Sequence, residues 1–416
     1  MNRKSSLGFI FVALLIDVLG FGLLIPVLPS FIGSLSHEGV SGASRDYGLL
    51  LSLYGAMQFV FAPVLGNLSD RFGRRPVLLL SLFFTGVDYV IMATAHSLGW
   101  LYVGRVLSGI TGASFTAATA YIADVSPPEK RSENFGILGA AFGIGFIIGP
   151  AAGGLLGHFG ARVPFWAAAG LSMVNLIYGF FVLPESLSIE NRRKFSLKEA
   201  NPLGALVVLA KYPTVWAMTG SLVASNLAGQ SLQSTWVLFM SYRFSWDVRQ
   251  TGLSLTAIGL LALIVQVGLA RFLFPKLGDR RIIVIGLFAG VVEFIGYALA
   301  THGWMVYAVM VVTSISFLTG QATQGLLSHQ VGADQQGGLQ GALTSLSSVT
   351  GIIGPVLATF LFSWFTRPAM AHKVPGAAFF GAAVLEVAAL VIAVRVLSGI
   401  RNVGDDGAHG SAVDSG

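Results

Sequence analysis

The sequence has no cysteine. That excludes disulfides, iron–sulfur ligation and thiolate catalysis, and it says nothing about compartment. Charge is also scarce: 11% of the 416 residues are Asp, Glu, Lys or Arg, against about 25% in an ordinary soluble domain. Runs of short alternating segments, the mark of a membrane β-barrel, are missing. No His/Cys/Asp spacing suggests a structural metal, and no Gly-x-Ser-x-Gly elbow or Ser/His/Asp ordering marks a nucleophile. A membrane enzyme would need a polar catalytic cluster near an interface, and the sequence offers none.

What is present is apolar. Hydrophobic residues make up 54% of the chain, more than one water-soluble core can bury, so lipid has to act as solvent. A spanning helix needs roughly 20 apolar residues. Such runs fall at 6–33, 47–67, 76–95, 99–122, 135–157, 163–183, 213–240, 250–274, 282–300, 303–327, 338–364 and 376–397. Each is apolar all round, as expected of helices that face lipid and one another. The first run follows Arg3 and Lys4 as a signal peptide would, but it is too long for a signal h-region and reads as the first helix. The expected fold is therefore all-α: a polytopic membrane protein of twelve transmembrane helices, whose 52 glycines suit close contact between backbones.

An even number of spans puts both termini on one side. That side holds Arg3, Lys4, Arg71, Arg74, Arg75, Lys130, Arg131, Arg192, Arg193, Lys194, Lys198, Lys211, Lys276, Arg280, Arg281, Arg395 and Arg401. The other holds Arg45, Arg162, Arg243, Arg249, Arg367 and Lys373. Seventeen against six places both termini in the cytoplasm by the positive-inside rule. The net charge of +6 then follows from topology, with no need of nucleic acid.

The longest polar stretch, 184–211, divides the chain into two sets of six spans. It gives an N-terminal bundle over 1–183, a cytoplasmic central loop over 184–211, a C-terminal bundle over 212–398 and a tail over 399–416 whose Gly, Ser and Asp content predicts disorder. The halves echo each other. Gly48 to Gly55 resembles Gly252 to Gly259, Asp70-Arg71 parallels Asp279-Arg280, and Gly149-Pro150 parallels Gly354-Pro355, at an offset of about 205 residues. Duplicated halves point to a transporter with its substrate site between them near the bilayer midplane.

An ionisable group in mid-bilayer costs about 2.5–3.5 kcal/mol on insertion scales and is a functional hypothesis by default. Asp17, Asp88, Glu293 and Glu386 lie centrally in spans 1, 3, 9 and 12, and Arg105 lies in the outer part of span 4. On a functional reading these carboxylates line a polar cavity and bind a cationic substrate or carry protons. The competing reading is a buried pair, such as Asp88 with Arg105, that only fixes helix packing. Amides extend the set: Gln58, Asn226, Gln230, Gln233, Gln266, Gln321 and Gln324. Their plain reading is interhelical hydrogen bonding, worth about 0.6 kcal/mol on average. Their clustering in the second half suggests that some face a wet cavity.

The loop between spans 2 and 3 reads Gly66-Asn-Leu-Ser69-Asp70-Arg71-Phe-Gly73-Arg74-Arg75. Its glycines permit a tight turn, and Asp70 is placed to pair with the arginines or to sit at a helix N-terminus. Such a bridge is expected to hold the two halves closed on the inside. This pattern resembles the loop signature of the major facilitator superfamily. Gly104-Arg105 with Gly109 and Gly112 looks like that superfamily's span-4 motif, whose Arg is implicated in proton transfer. Gly145, Gly149, Pro150, Gly153 and Gly154 look like the helix-packing antiporter motif of its drug/proton exchangers.

The resemblance extends to the twelve-span tetracycline/proton antiporters. It is carried by Asp17 to Pro29, Leu53 to Gln58, Asp88 to Ala93, Tyr121 to Asp124, Gln230 with Trp236, Gly296-Tyr297 and Leu339 to Leu343. It implies proton coupling through Asp17, Asp88, Arg105 and Glu293. It implies substrate contacts at Asp17, Gln58, Asn226, Gln230, Trp236 and Gln266, and gating by Ser69, Asp70, Arg71, Arg74, Arg75 and Asp124. Glu293 stands where that family usually has Asp, Ala262 stands where members often carry His, and Glu386 is extra. The expected function is proton-driven export of a tetracycline-like drug across the bacterial inner membrane by a monomer. No resident cofactor is expected, and the resemblance implies that magnesium or another divalent cation is carried with the substrate. The alternatives are export of another amphipathic drug or metabolite, and a non-transporting membrane scaffold.

Overall fold

In the bilayer every backbone N–H and C=O has to be satisfied within its own segment, and a helix does this. The computed structural model describes residues 3–36, 39–112, 114–127, 130–192, 213–332 and 336–399, and the regular elements among them are all helical. The expectations for 193–211 and for the tail from 400 onward lie outside the described residues.

The first half contains α1 (Arg3–Leu24), α2 (Leu28–Leu35), α3 (Gly39–Phe72), α4 (Arg74–Thr94), α5 (Leu98–Thr111), α6 (Ser114–Val125), α7 (Arg131–Gly157) and α8 (Val163–Val182). The second contains α9 (Pro213–Phe244), α10 (Val248–Leu263), α11 (Ala270–Leu299), α12 (Gly303–Val312), α13 (Thr319–His329), α14 (Gln336–Thr366) and α15 (Ala377–Gly399). Three spans that read as continuous in the sequence are broken. Span 1 turns at Ile25–Val27, around Pro26, before α2; Pro26 has no N–H to continue the ladder. Span 4 breaks at Gly112 between α5 and α6. Span 10 bends by 50° where a 3-10 turn, Ser314–Leu318, separates α12 from α13.

Among the described residues nine helical stretches are long and apolar enough to cross a membrane, and the bent pair of span 10 makes a tenth. One of the nine, Val248–Leu299, is 52 residues long. A straight helix of that length would measure about 78 Å, far more than the roughly 30 Å of a hydrocarbon core. Gly278, at φ +69°, turns the chain and divides this stretch into two crossings. The remaining span is α9, whose amides and hydroxyls dilute its hydrophobicity. The molecule is a multi-pass membrane protein, and the described residues account for twelve spans.

Within the first half α1 packs on α7 and α8, α4 on α8, and α3 on α5; within the second α9 packs on α14 and α15, and α11 on α15. The halves meet along two seams, α3 against α14 and α7 against α10. The repeated glycines line these seams. A Cβ on Gly48 would collide with Thr359, and one on Gly55 would lie 3.5 Å from Ile352. Their counterparts Gly252 and Gly259 press on Pro150 and Ile147. The echo between halves therefore encodes one contact used twice.

The side holding Arg3 and Gly399 is termed the basic side. One apolar core, including Leu23, Phe31, Tyr47, Trp236, Phe239 and Phe362, spans both halves near the opposite side. On the basic side each half has its own core, around Ile10, Val77 and Tyr121 in the first and Ile282, Leu318 and Leu343 in the second. The halves thus converge at one end and part at the other. Two of the few opposite-side arginines satisfy helix ends: Arg162 donates to the carbonyls of Ala93 and Ala95, both at 2.7 Å, and Arg243 to that of Ala300 at 3.2 Å. These carbonyls end α4 and α11, where a cation complements the helix dipole.

Candidate functional site: a cavity between two helical bundles

A cavity of about 700 Å³ lies between the halves. Its wall is mostly aromatic and aliphatic: Phe21, Tyr47, Tyr54, Phe59 and Phe146 from the first half, Trp236, Leu255, Ile258 and Phe317 from the second. Gln58, Gln230 and Gln233 supply amides, and Thr116, Thr344, Ser347 and Ser348 supply hydroxyls. Among the described residues, Arg105 is the one Lys, Arg, Asp or Glu side chain in the wall. An apolar pocket with a few convergent polar groups is the usual form of a small-molecule site.

Gln58 has a local task as well. The break at Gly112 frees a carbonyl, and Gln58 Nε2 donates to it at 3.1 Å. Its amide is therefore oriented beside the cavity. Trp236 is similarly fixed, with its Nε1 donating to Ser254 Oγ at 2.9 Å. Asn226 lies one step behind the wall, 3.4 Å from the cavity residue Ser347. Gln266 sits apart, exposed in a π-helical stretch (Ile264–Leu269), where it accepts from Gln321 at 3.4 Å.

The ionisable groups lie behind this wall. Asp88 and Arg105 are 1% and 6% exposed and form an ion pair between α4 and α5. Gly104 makes room for it, since a Cβ there would strike Asp88 Oδ1. The guanidinium also contacts Met92 Sδ at 2.8 Å and lies 5.6 Å from the ring centre of Tyr54. The pairing that competed with the functional reading is present, and Arg105 still faces the cavity. Asp17 is half-buried, off the cavity wall and within electrostatic reach of Tyr54 and Tyr89.

Glu293 has no cation beside it among the described residues. It accepts from Ser316 Oγ at 2.8 Å and from Tyr297 OH at 3.2 Å. Both donors adjoin the cavity wall: Ser316 precedes Phe317, and Tyr297 stacks edge-on against Trp236 at 5.1 Å between ring centres. Each half therefore places a buried carboxyl one layer from the cavity, Asp88 behind Arg105 and Glu293 behind Tyr297 and Ser316.

On the basic side the loop residues form one network. Arg74 pairs with Asp70 and with Asp124 at 3.0 Å, and donates to Ser69 Oγ at 2.6 Å. Ser186 donates to Asp124 at 3.1 Å. Glu185, which the sequence reading passed over, accepts from the backbone N–H groups of Arg74 at 2.9 Å and Arg75 at 3.3 Å. It thus caps the N-terminus of α4. Gly73 is required here: its φ is +108°, and a Cβ would strike Glu185 Oε2. Arg75 reaches the Phe180 carbonyl, and Arg71 is exposed over Phe72. Among the described residues no bridge from this network to the second half is present. The partners of Asp70 and Arg74 among the described residues belong to the first half, because the halves part at this end.

The antiporter-like glycines pack span 5. A Cβ on Gly149 would lie 2.7 Å from Gly22 Cα, one on Gly145 2.5 Å from Val18, and one on Gly153 would strike the Leu23 carbonyl. A Cβ on Gly154 would lie 2.8 Å from the Val248 carbonyl oxygen of the other half. Pro150 leaves α7 unbroken, its carbonyl lying against Gly252.

Two helical bundles around a central cavity, with buried carboxyls behind its wall, define a membrane transporter of the two-bundle type. The family model described as Major Facilitator Superfamily matches residues 10–355. The chain is 40% identical over 363 residues to the tetracycline resistance protein, class C, of Escherichia coli, covering 87% of this chain and 91% of that one. It is 32% identical over 377 residues to multidrug resistance protein 2 of Bacillus subtilis (strain 168), covering 87% and 90%. The crystal structure of a bacterial homolog to the human lysosomal transporter Spinster, inward-facing and occupied, superposes with a TM-score of 0.74 at 18% identity over 95% of each chain. The chain belongs to the Major Facilitator Superfamily, in the branch of the tetracycline resistance proteins.

Proposed function

We propose that this protein exports a tetracycline-like drug from the cytoplasm in exchange for protons, with both termini in the cytoplasm and the chain in the bacterial inner membrane. The cavity carries the reading. It is large enough for one drug-sized molecule, aromatic in its walls and backed in each half by a buried carboxyl. Gln58, Gln230 and Trp236 contact the drug, with Asn226 and Asp17 behind them and Gln266 along the route. Asp17, Asp88, Arg105 and Glu293 handle the protons. A ligand that moves Tyr54 or Trp236 changes the hydrogen bonding and charge around Asp88 or Glu293, and so their proton affinity. Ser69, Asp70, Arg71, Arg74, Arg75 and Asp124 reset the basic side as the halves rock.

The substrate is carried as a divalent-metal chelate, the metal being cargo, and the monomer is the working unit. Export of another amphipathic aromatic drug is the second reading; the 32% identity to a multidrug resistance protein and the aromatic wall favour it. Proteoliposomes holding the purified protein test both readings. Tetracycline uptake is expected to require a pH gradient and to fall when EDTA removes divalent metal. Uptake that is equal with and without the gradient sinks the exchange mechanism, and a drug panel separates the substrates.

A further inference from the structure

Glu386 lies on α15 with 5% of its surface exposed, and the proposed mechanism makes no use of it. Its Oε1 accepts from Ser225 Oγ of α9 at 3.2 Å, while its buried Oε2 has no hydrogen-bond partner among the described residues. The side chain points at α11: a Cβ on Gly290 would lie 2.8 Å from Oε1 and 3.1 Å from Cγ. Gly290 sits three residues before Glu293, on the adjacent turn of the same helix face. Glycine at 290 is what lets Glu386 approach.

Among the described residues no compensating charge lies at this depth; the cation on α15 itself, Arg395, is nine residues further along, toward the basic side. The elements packed on α15 are α9, α11 and α14. The titratable side chains on α9 are Tyr242 and Arg243, at its opposite-side end, where Arg243 binds the Ala300 carbonyl. α11 carries Arg271, Lys276, Asp279, Arg280 and Arg281 toward the basic side, then only Glu293 and Tyr297; α14 carries none. Arg281 is twelve residues from Glu293, about 18 Å along a helix. Two buried carboxyls set at neighbouring turns of one helix face disfavour each other's ionisation in a medium of low dielectric; one proton between them lowers the repulsion.

We infer that Glu386 and Glu293 form one proton-holding pair behind the second-half wall of the cavity, with Glu386 as its second carboxyl. The proton joins one carboxylate oxygen, and the other carboxyl remains a carboxylate hydrogen-bonded by the Ser225, Ser316 or Tyr297 hydroxyl. Ser316 and Tyr297 bind the cavity-side member of the pair, so a change at Phe317 or Trp236 reaches both carboxyls. The meaning of this pair for transport rests on the proposed proton coupling at Glu293; its existence does not, and its test uses no drug.

The test is infrared titration of the carboxyl stretch in the full-length protein in lipid nanodiscs, comparing the native chain with E293Q and E386Q. Each substitution is expected to remove one carboxyl and to move the midpoint of the surviving partner by about one pH unit or more, the mark of coupled sites. A Glu293 midpoint unmoved by E386Q overturns the pair. Titration steps that high sodium displaces overturn the proton assignment in favour of a monovalent cation. Should E386Q fail to fold, Glu386→Asp keeps a carboxyl on a shorter arm; it is expected to move the Glu293 midpoint measurably, and an unmoved midpoint again overturns the pair. If the pair titrates as expected while proteoliposomes show no drug/proton exchange, the export reading fails and the pair stands.

Discussion

Asp88 and Arg105 show how a single pair serves both packing and function. Each is almost wholly buried, so either one alone is an uncompensated charge. Asp88→Asn or Arg105→Gln is therefore expected to cost about 3–5 kcal/mol, read as a lower melting temperature in detergent. The double substitution removes both charges and is expected to recover most of that loss while abolishing proton-coupled uptake. If the pair served packing alone, the double variant would transport normally. Gln58 differs in that its amide bridges a broken helix and borders the cavity. Gln58→Ala is expected to raise KM for the drug several-fold with a smaller effect on kcat, measured in the same vesicles.

Helix breaks do much of the positioning. The α5–α6 break at Gly112 orients Gln58, and the 3-10 turn after α12 delivers Ser316 to Glu293 and Phe317 to the cavity. The α4 N-terminus depends on Glu185, since residues at a helix start lack intrahelical acceptors. Glu185→Ala is expected to lose about 1 kcal/mol of capping. Hydrogen exchange at the amides of Arg74 and Arg75 should then accelerate several-fold while the core of α4 stays protected. Unchanged exchange there would show that the cap carries no energy. Polar anchors of this kind left little trace in the sequence, because Glu185 lies 111 residues from the amide it caps.

At the scale of the whole molecule the two seams close one end of the cavity. Ser52 donates to the Ile352 carbonyl, Thr256 to that of Ile147 at 2.8 Å, and Ser363 to that of Ser41 at 2.7 Å, all toward the opposite side. Nearer the basic side, a Cβ on Gly136, Gly139 or Gly143 of α7 or on Gly268 beyond α10 meets nothing within 4 Å. The structure is open toward the basic side. The lack of native cysteine gives a clean readout. Gly139→Cys is expected to react with a membrane-impermeant thiol reagent in everted vesicles, and Gly154→Cys, packed on Val248, to resist it. Equal labelling of the two would contradict this geometry. Gly48→Val should pry α3 from α14 and shift the population toward opening on the opposite side, seen as longer spin-label distances across that seam.

The sequence by itself determined the number of spans, the duplication, the family resemblance and which ionisable groups lie within spans, because hydrophobic run length, charge asymmetry and motif spacing are local properties. It could not distinguish cavity aromatics such as Tyr54 and Phe317 from lipid-facing ones, since both sit in uniformly apolar helices. Only the tertiary structure decided partners. It gave Arg105 to Asp88, kept the Asp70 network within the first half, brought Glu386 across to α11 at Gly290, and set Asp17 and Gln266 off the cavity wall. The physical reason is that side-chain pairing in a helical bundle depends on helix rotation and tilt, which are fixed by small-residue contacts between segments up to hundreds of residues apart.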